Sequence, residues 1–478
     1  SGDFSPENYT ITTTSEITFQ NIISLRNLNW EYGSPNYSDI VIVNFPNLDR
    51  ITNNFTLKYE YSLREFNAPK LREIGRLIVN NNNIEKFLLP SLLSIVYGGY
   101  LRGNENLNEL NLESYEGGAY NYFEIIDNNS LLTLNLENYY KIRDNAGNTY
   151  DLVISKNKSL KTINFGSELD LEAHIRIYEN ESLEEINFPN SSNVKSGDIS
   201  ISNNKILKKI NFNSLKSSNY VKDKQYWHSP TIEITGNVLL EEINAPSLEN
   251  FYNINVSSNQ SLSDITFPEL MTIHKNLTIQ NNVNLSMVNM PKLETTGDKV
   301  YNSNSFLFNS NQSLNDINFD SLHKVYTSLT IENNQQLDLN DFPCNLFVLV
   351  NDGLDCTFGD INVSNNLDDT YCFQDPSLIP PIDIQSTDAY DITSDQAKLD
   401  TTIISFTKMK SRGIVWSTSP NPTIDDVNDF FSENGSLNGD YTSYMFNLQP
   451  DTTYYVRAYG EDCNEVFYGN EKDFKTLP

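Results

Sequence analysis

The chain has 478 residues, of which 38% are hydrophobic and 20% charged; that is enough apolar material for a packed core and excludes global disorder. A formal net charge of −30 repels phosphate backbones and anionic headgroups, which argues against a nucleic acid partner. No apolar run reaches the roughly 18 residues that a membrane-spanning helix needs, so no transmembrane segment is expected.

The first residues, Ser1-Gly2-Asp3-Phe4-Ser5-Pro6, are polar. They read as the start of a mature chain whose export signal has been removed. Residues 1 to about 75 are expected to form an N-terminal cap and the first coils of a repeat. Upstream of the clear repeats, Leu57–Ile74 and Leu77–Ile95 look like degenerate copies of the motif that follows.

That motif is clearest in Leu277-Thr278-Ile279-Gln280-Asn281-Asn282-Val283-Asn284-Leu285-Ser286-Met287-Val288-Asn289-Met290-Pro291. Its skeleton is apolar-x-apolar-x-x-Asn-x-x-Leu-x-x-apolar-x-apolar. The asparagine recurs at Asn104, Asn128, Asn157, Asn180, Asn204, Asn237, Asn259, Asn282, Asn311 and Asn334. Three residues later stands Leu107, Leu131, Leu160, Leu183, Leu207, Leu240, Leu262, Leu285, Leu314 or Leu337, without exception. Successive copies lie 22 to 33 residues apart.

Apolar-x-apolar is strand alternation, with one side of each short strand facing inward. One coil cannot bury that side by itself, whereas stacked coils bury it together. The fold class is therefore mainly β: a β-solenoid with two strands per coil. The asparagine is expected at a turn, its amide satisfying the backbone of neighbouring coils. Pro189, Pro246, Pro268 and Pro291 close the second strand, where a missing N–H costs little.

The pattern ends at Phe342-Pro343, where Cys344, Cys356 and Cys372 begin. With no C-x-x-C and no paired histidine, a metal site is not indicated. The three cysteines read as structural, with at least one disulfide stapling a C-terminal cap in an oxidising compartment; the pairing is left open. Cys463 is read as free or as reaching a cap cysteine.

Across roughly residues 57–343, the repeat resembles receptor L domains and the irregular leucine-rich proteins of bacterial surfaces. That resemblance implies extracellular binding rather than catalysis. This chain departs from it in its asparagine content, its unequal coils and its lack of the cysteine-rich modules of animal receptors.

A proline-rich linker, Asp375-Pro376-Ser377-Leu378-Ile379-Pro380-Pro381, follows the cap. Two domains result, 1–375 and 376–478. In the second, Ala397–Ile404, Gly413–Trp416, Tyr444–Leu448 and Tyr454–Tyr459 alternate and are separated by turns, as in an immunoglobulin-like β-sandwich. Leu448-Gln449-Pro450-Asp451-Thr452-Thr453-Tyr454-Tyr455-Val456-Arg457-Ala458 resembles the fibronectin type III pattern L-x-P-x-T-x-Y-x-V-x-A. On that resemblance Tyr454 takes the tyrosine-corner role. The runs Arg412–Thr423 and Tyr468–Thr476 resemble a fibronectin-like variety common in secreted proteins of Bacteroidetes, which implies spacing, stalk or docking.

Catalytic chemistry finds no foothold. His174, His228, His274 and His323 fall in different coils at no shared repeat position, and no nucleophile, phosphate-loop or zinc-protease motif occurs. No cofactor is called for, although the acid excess would accommodate structural calcium or a basic partner.

Two surface features remain. Asn111, Asn135, Asn164, Asn187, Asn211, Asn244, Asn289 and Asn318, with Thr266 and Asp341 between them, stand seven residues after the repeat asparagine and point outward. They form either a hydrogen-bonded ladder or a polar platform for a repetitive ligand. Coil insertions place Tyr220, Tyr226, Trp227 and His228 in one loop and Tyr115, Tyr120 and Tyr122 in another; Tyr97 and Tyr100 lie one coil earlier. Aromatic faces near amides suit sugars, and loops on rigid scaffolds commonly carry function. The alternative is that these rings fold back onto a coil edge. A second-choice surface is the first-strand face bearing Arg102, Arg176 and Tyr178.

The expectation is a non-enzymatic surface or secreted binding and adhesion protein, glycan-directed, associated with an outer membrane and lipid-anchored through a removed N-terminus. The alternatives are a scaffold subunit docking protein partners in an outer-membrane complex and, behind it, a polysaccharide-active enzyme.

Overall fold

Alternating side chains such as Ile199-x-Ile201 or Phe306-x-Phe308 can be buried on one side only if a neighbouring strand carries the same pattern in register. The computed structural model shows that stacking. It describes residues 2–4, 15–31, 40–117, 122–139, 151–166, 170–171, 174–188, 193–194, 197–218, 230–297, 305–326, 328–339, 346–349, 360–368, 382–404, 411–425, 430–435, 439–461 and 466–478. The chain is mainly β, with no α-helix among the described residues.

The first-strand face of each coil pairs in parallel with the coils before and after it. Leu277 lies beside Ile254 and Phe306, and Ile279 beside Val256 and Phe308. The pairing runs from Asp3–Phe4, on Asn27–Leu28, to Asp360–Ser364, on Ser328–Glu332, within one 23-stranded sheet. The second strand of each coil, for example Met287–Asn289, builds a second face in three sheets of five, five and three strands.

A third short strand, absent from the two-strand reading of the repeat, closes most coils. Arg50–Ile51, Glu73–Ile74 and Ser94–Ile95 pair in parallel, as do Thr272–Ile273, Thr295–Thr296 and Lys324–Val325. Its sequence signal is Leu-x-x-apolar after the proline position, as in Leu48/Ile51, Leu71/Ile74, Leu270/Ile273 and Leu322/Val325. The coil is thus three-sided.

Parallel coil pairing runs through the described part of the N-terminal region, where first coils are expected. One boundary shifts from the sequence reading. At the other end the repeat does not die at Phe342-Pro343: Asp360–Ser364 adds a further coil, and Asn366 continues the asparagine series. Cys344, Cys356, Cys372 and Cys463 lie outside the described residues.

One apolar cluster runs from Phe4 to Leu346. All ten repeat leucines are fully buried at 0% exposure, as the stacking argument requires. Next to them Phe165, Phe188 and Phe212 stack with centroids 4.6 and 5.0 Å apart, so equivalent rings continue from coil to coil.

Past residue 382 the pairing becomes antiparallel. Asp383–Ser386, Gln396–Ile404 and Gly439–Phe446 form one sheet. Ser411–Ser417 and Thr453–Glu461 centre a second, with Phe430–Phe431, Val466–Tyr468 and Lys472–Lys475. These sandwich-like sheets have their own core of Leu399, Ile414, Trp416, Met445, Val456 and Phe474. The Tyr454 hydroxyl accepts the Gln449 backbone N–H at 2.9 Å, tying the turn before Thr453–Glu461 to the first residues of that strand.

Candidate functional site

The most uniform polar feature is internal. At the end of each first strand one residue adopts left-handed backbone, from Tyr59 and Asn81 through Asp127, Lys156 and Glu179 to Asn333 and Asn365. The next side chain then turns inward. Asn204 is typical. Its N–H and Nδ2 donate to Oδ1 of Asn237 at 3.0 and 3.2 Å, and Nδ2 also donates to the Ile177 carbonyl at 3.0 Å. Its own Oδ1 accepts from the N–H and Nδ2 of Asn180, at 3.0 and 3.1 Å.

The same bonds recur from Asn82 to Asn366. All ten repeat asparagines are fully buried, and an unpaired buried amide would cost about 1–3 kcal/mol per group. This series is the spine of the solenoid, not a ligand site. Asn82 and Asn366 lack the leucine three positions on, which is why the motif did not find them.

Glu60 occupies the corresponding place one coil before Asn82, whose Oδ1 accepts the Glu60 N–H at 2.7 Å. Its carboxyl is pushed up to about 7 by burial. No sequence signal marks this, because Leu63 follows Glu60 at the regular spacing while the asparagine itself is replaced.

The outward asparagine row is engaged with itself. Asn164 donates to Asn135 at 2.8 Å, Asn187 to Asn164 at 3.1 Å and Asn211 to Asn187 at 2.7 Å. Along these coils the row is an intercoil hydrogen-bond ladder. Asp341 lies outside the described residues.

Of the aromatic loop residues, Tyr220, Tyr226, Trp227, His228 and Tyr120 also lie outside the described residues. Tyr115 is 2% exposed, sits in the position that leucine holds in other coils, and packs 5.3 Å from Phe123 and 5.9 Å from Tyr139. It folds back into the core, so it is removed from the surface candidates. Tyr97 and Tyr122 are 48% and 46% exposed.

Backbone packing fixes their placement. Gly99 pairs with Phe123, and its N–H donates to the Tyr122 carbonyl at 2.9 Å, so both tyrosines stand at one corner of adjacent coils. A side chain on Gly99 would collide with the Leu77 carbonyl, 2.1 Å from its Cβ, so only glycine lets the chain pass there.

On the neighbouring first-strand face the Arg102 guanidinium lies 4.9 Å from the Tyr100 ring centroid and pairs with Glu124. Further along, Arg176 pairs with Asp151 at 3.5 Å and Ser200 bonds Glu233 at 3.0 Å. The corner and the face together bring Tyr97, Tyr100, Arg102, Tyr122 and Glu124 into adjacent coils. They present ring surfaces with fixed donors and acceptors, held on a sheet whose register the asparagine spine sets. Such a set can stack on apolar ring faces and bond hydroxyls. Among the described residues no helix is long and apolar enough to cross a membrane.

No known protein family matches the chain, and no curated protein matches it. Among solved structures, the sensor domain of the anti-sigma factor RsgI4 of Pseudobacteroides cellulosolvens is 21% identical, with 20% of this chain and 96% of that one covered and a TM-score of 0.16. A solution structure of the same sensor domain is 20% identical over 20% of this chain and 76% of that one, TM-score 0.16. A computationally redesigned β-sandwich protein is 18% identical over 21% of this chain and 96% of that one, TM-score 0.15.

Proposed function

We propose that the chain is a non-enzymatic binding protein of the cell surface or the secreted space, with receptor-L-type coils presenting a glycan-directed face and a fibronectin type III-like module as spacer. The observation that carries this reading is the corner where exposed Tyr97 and Tyr122 adjoin the Tyr100–Arg102–Glu124 group. Exposed rings beside charge-paired donors and acceptors match the amphipathic surface of a sugar. The stacked coils hold them rigid, so little ordering cost accompanies binding.

The test is a glycan-array screen of the full chain beside a Tyr97→Ala, Tyr122→Ala variant. Each lost aromatic contact is worth about 1 kcal/mol, so the double variant should bind at least tenfold more weakly while staying folded. Equal binding by both proteins would move the site elsewhere. Absence of any glycan binding would leave the protein-docking scaffold as the better account.

A further inference from the structure

On another flank of the solenoid a groove of about 510 Å³ runs along the stack, over the buried asparagine spine. One border is formed by the left-handed residues Asp127, Lys156, Glu179, Asn203 and Gly236. The other is formed by Lys158, Glu181, Lys205 and Val238, which follow the spine asparagine of their coils. We infer that this groove is a docking site for an extended peptide whose charges alternate in complement to these bands.

The charges change sign from coil to coil: acid at Asp127, base at Lys156 and Lys158, acid at Glu179 and Glu181, base at Lys205, and an open apolar end at Gly236 and Val238. In a chain of net charge −30, three lysines balance the three carboxylates of this groove, so its bands alternate about neutrality. A polyanion meets repulsion from the Glu179/Glu181 band, and a neutral glycan leaves all the bands unmatched. Alternation over one or two residues is what polypeptide side chains supply.

The present partners are weak competitors. Lys156–Glu179 and Lys205–Glu181 are exposed pairs at 3.8 and 3.7 Å, and Lys158 makes no ion pair among the described residues. Exposed pairs of this kind contribute little and exchange readily.

The dimensions fit a short strand. Coils about 4.8 Å apart put the two ends of the five-coil groove about 19 Å from each other, the span of about seven extended residues. Alternate side chains of such a strand reach opposite borders. Matching them to the bands gives the order base, acid, acid, base, base, acid, apolar.

This site is separate from the tyrosine corner and does not depend on the glycan reading. The probe is the labelled peptide acetyl-Lys-Asp-Asp-Lys-Lys-Asp-Leu-amide, titrated into the full chain at low salt. The control has the same composition with every charge inverted, acetyl-Asp-Lys-Lys-Asp-Asp-Lys-Leu-amide. The ordered peptide should bind about tenfold or more tightly than the inverted one, with the gap narrowing as salt rises from roughly 20 to 150 mM. A Lys156→Glu, Lys158→Glu variant, exposed at both positions and checked for folding by circular dichroism, should lose the preference. Equal affinity for the two peptides, no binding of either at millimolar concentration, or an undiminished preference in the variant would overturn the proposal.

Discussion

Asn204 donates two hydrogen bonds to the side-chain oxygen of Asn237, at 3.0 and 3.2 Å, across a step of 33 residues. The next step, from Asn237 to Asn259, takes 22 residues and closes with the same pair of bonds at 3.0 and 3.4 Å. Coil length varies by half while the spine geometry does not. Insertions are therefore accommodated away from the spine, which leaves loops free to diverge on a fixed frame.

Replacing Asn204 by alanine should be among the most damaging single changes. It takes the side-chain acceptor from the Asn180 N–H, leaves Asn180 Nδ2 only the Ile154 and Tyr178 carbonyls, and removes the Nδ2 donor to the Ile177 carbonyl and Asn237 Oδ1. With each stranded group costing about 1–3 kcal/mol, the expected loss is roughly 2–5 kcal/mol in urea denaturation. A loss below about 1 kcal/mol would mean that the spine is not carrying the coils.

Leu262, fully buried, probes the apolar half of the motif. Leu262→Ala should lower stability by about 2–5 kcal/mol, the usual range for a core leucine, because adjacent coils can collapse only partly into the cavity. The check is again chemical denaturation, with unchanged circular dichroism before the transition.

Glu60 should make the N-terminal coils pH-sensitive. Its carboxyl is raised from 4.5 to about 7 by burial, so between those values the folded chain holds a proton that the unfolded chain has released. Stability contributed by the protonated form is complete below about pH 4.5, falls as pH rises through the window, and is gone above about pH 7. Because the side chain is partly exposed, solvent screening reduces the effect to about 1 kcal/mol. Glu60→Gln should remove this slope and raise stability at pH 8. A variant with the wild-type pH profile would show that other groups set it.

Tyr454→Phe keeps the ring on Phe474, 5.8 Å away, and deletes only the hydroxyl that accepts the Gln449 N–H. The expected cost is about 1–2 kcal/mol, confined to the C-terminal sheets. Thermal unfolding should show the shift in one transition only; a shift in the solenoid transition would contradict it.

How much of this was legible in the sequence follows from which positions are constrained. The buried asparagine and the leucine three residues on each answer to a single geometry, so they repeat without exception from Asn104 to Leu337. The third strand of most coils leaves little trace in the sequence because it is only a residue or two of pairing after Leu-x-x-apolar. So does the last coil, because Asn366 carries no leucine at the regular spacing. Outward positions such as Tyr100, Arg102 and Glu124 obey no repeat. Register alone brings them together, Tyr100 beside Glu124 and Arg102 beside Ile126, and register is what a one-dimensional pattern does not display. For Tyr115 the sequence admits both a surface ring and one folded back onto the coil; the ring fills a leucine position in the core.

The central claim is that one continuous line of buried asparagine amides sets the register of coils of unequal length. Hydrogen exchange on the full chain, with nitrogen-15 placed only in asparagine, tests it most directly. The side-chain amides of the ten buried asparagines from Asn104 to Asn334 should exchange far more slowly than those of surface residues such as Asn106 and Asn284. Protection should persist across the long Asn204–Asn237 step. Rapid exchange throughout the series, or a break in protection at that step, would contradict the account.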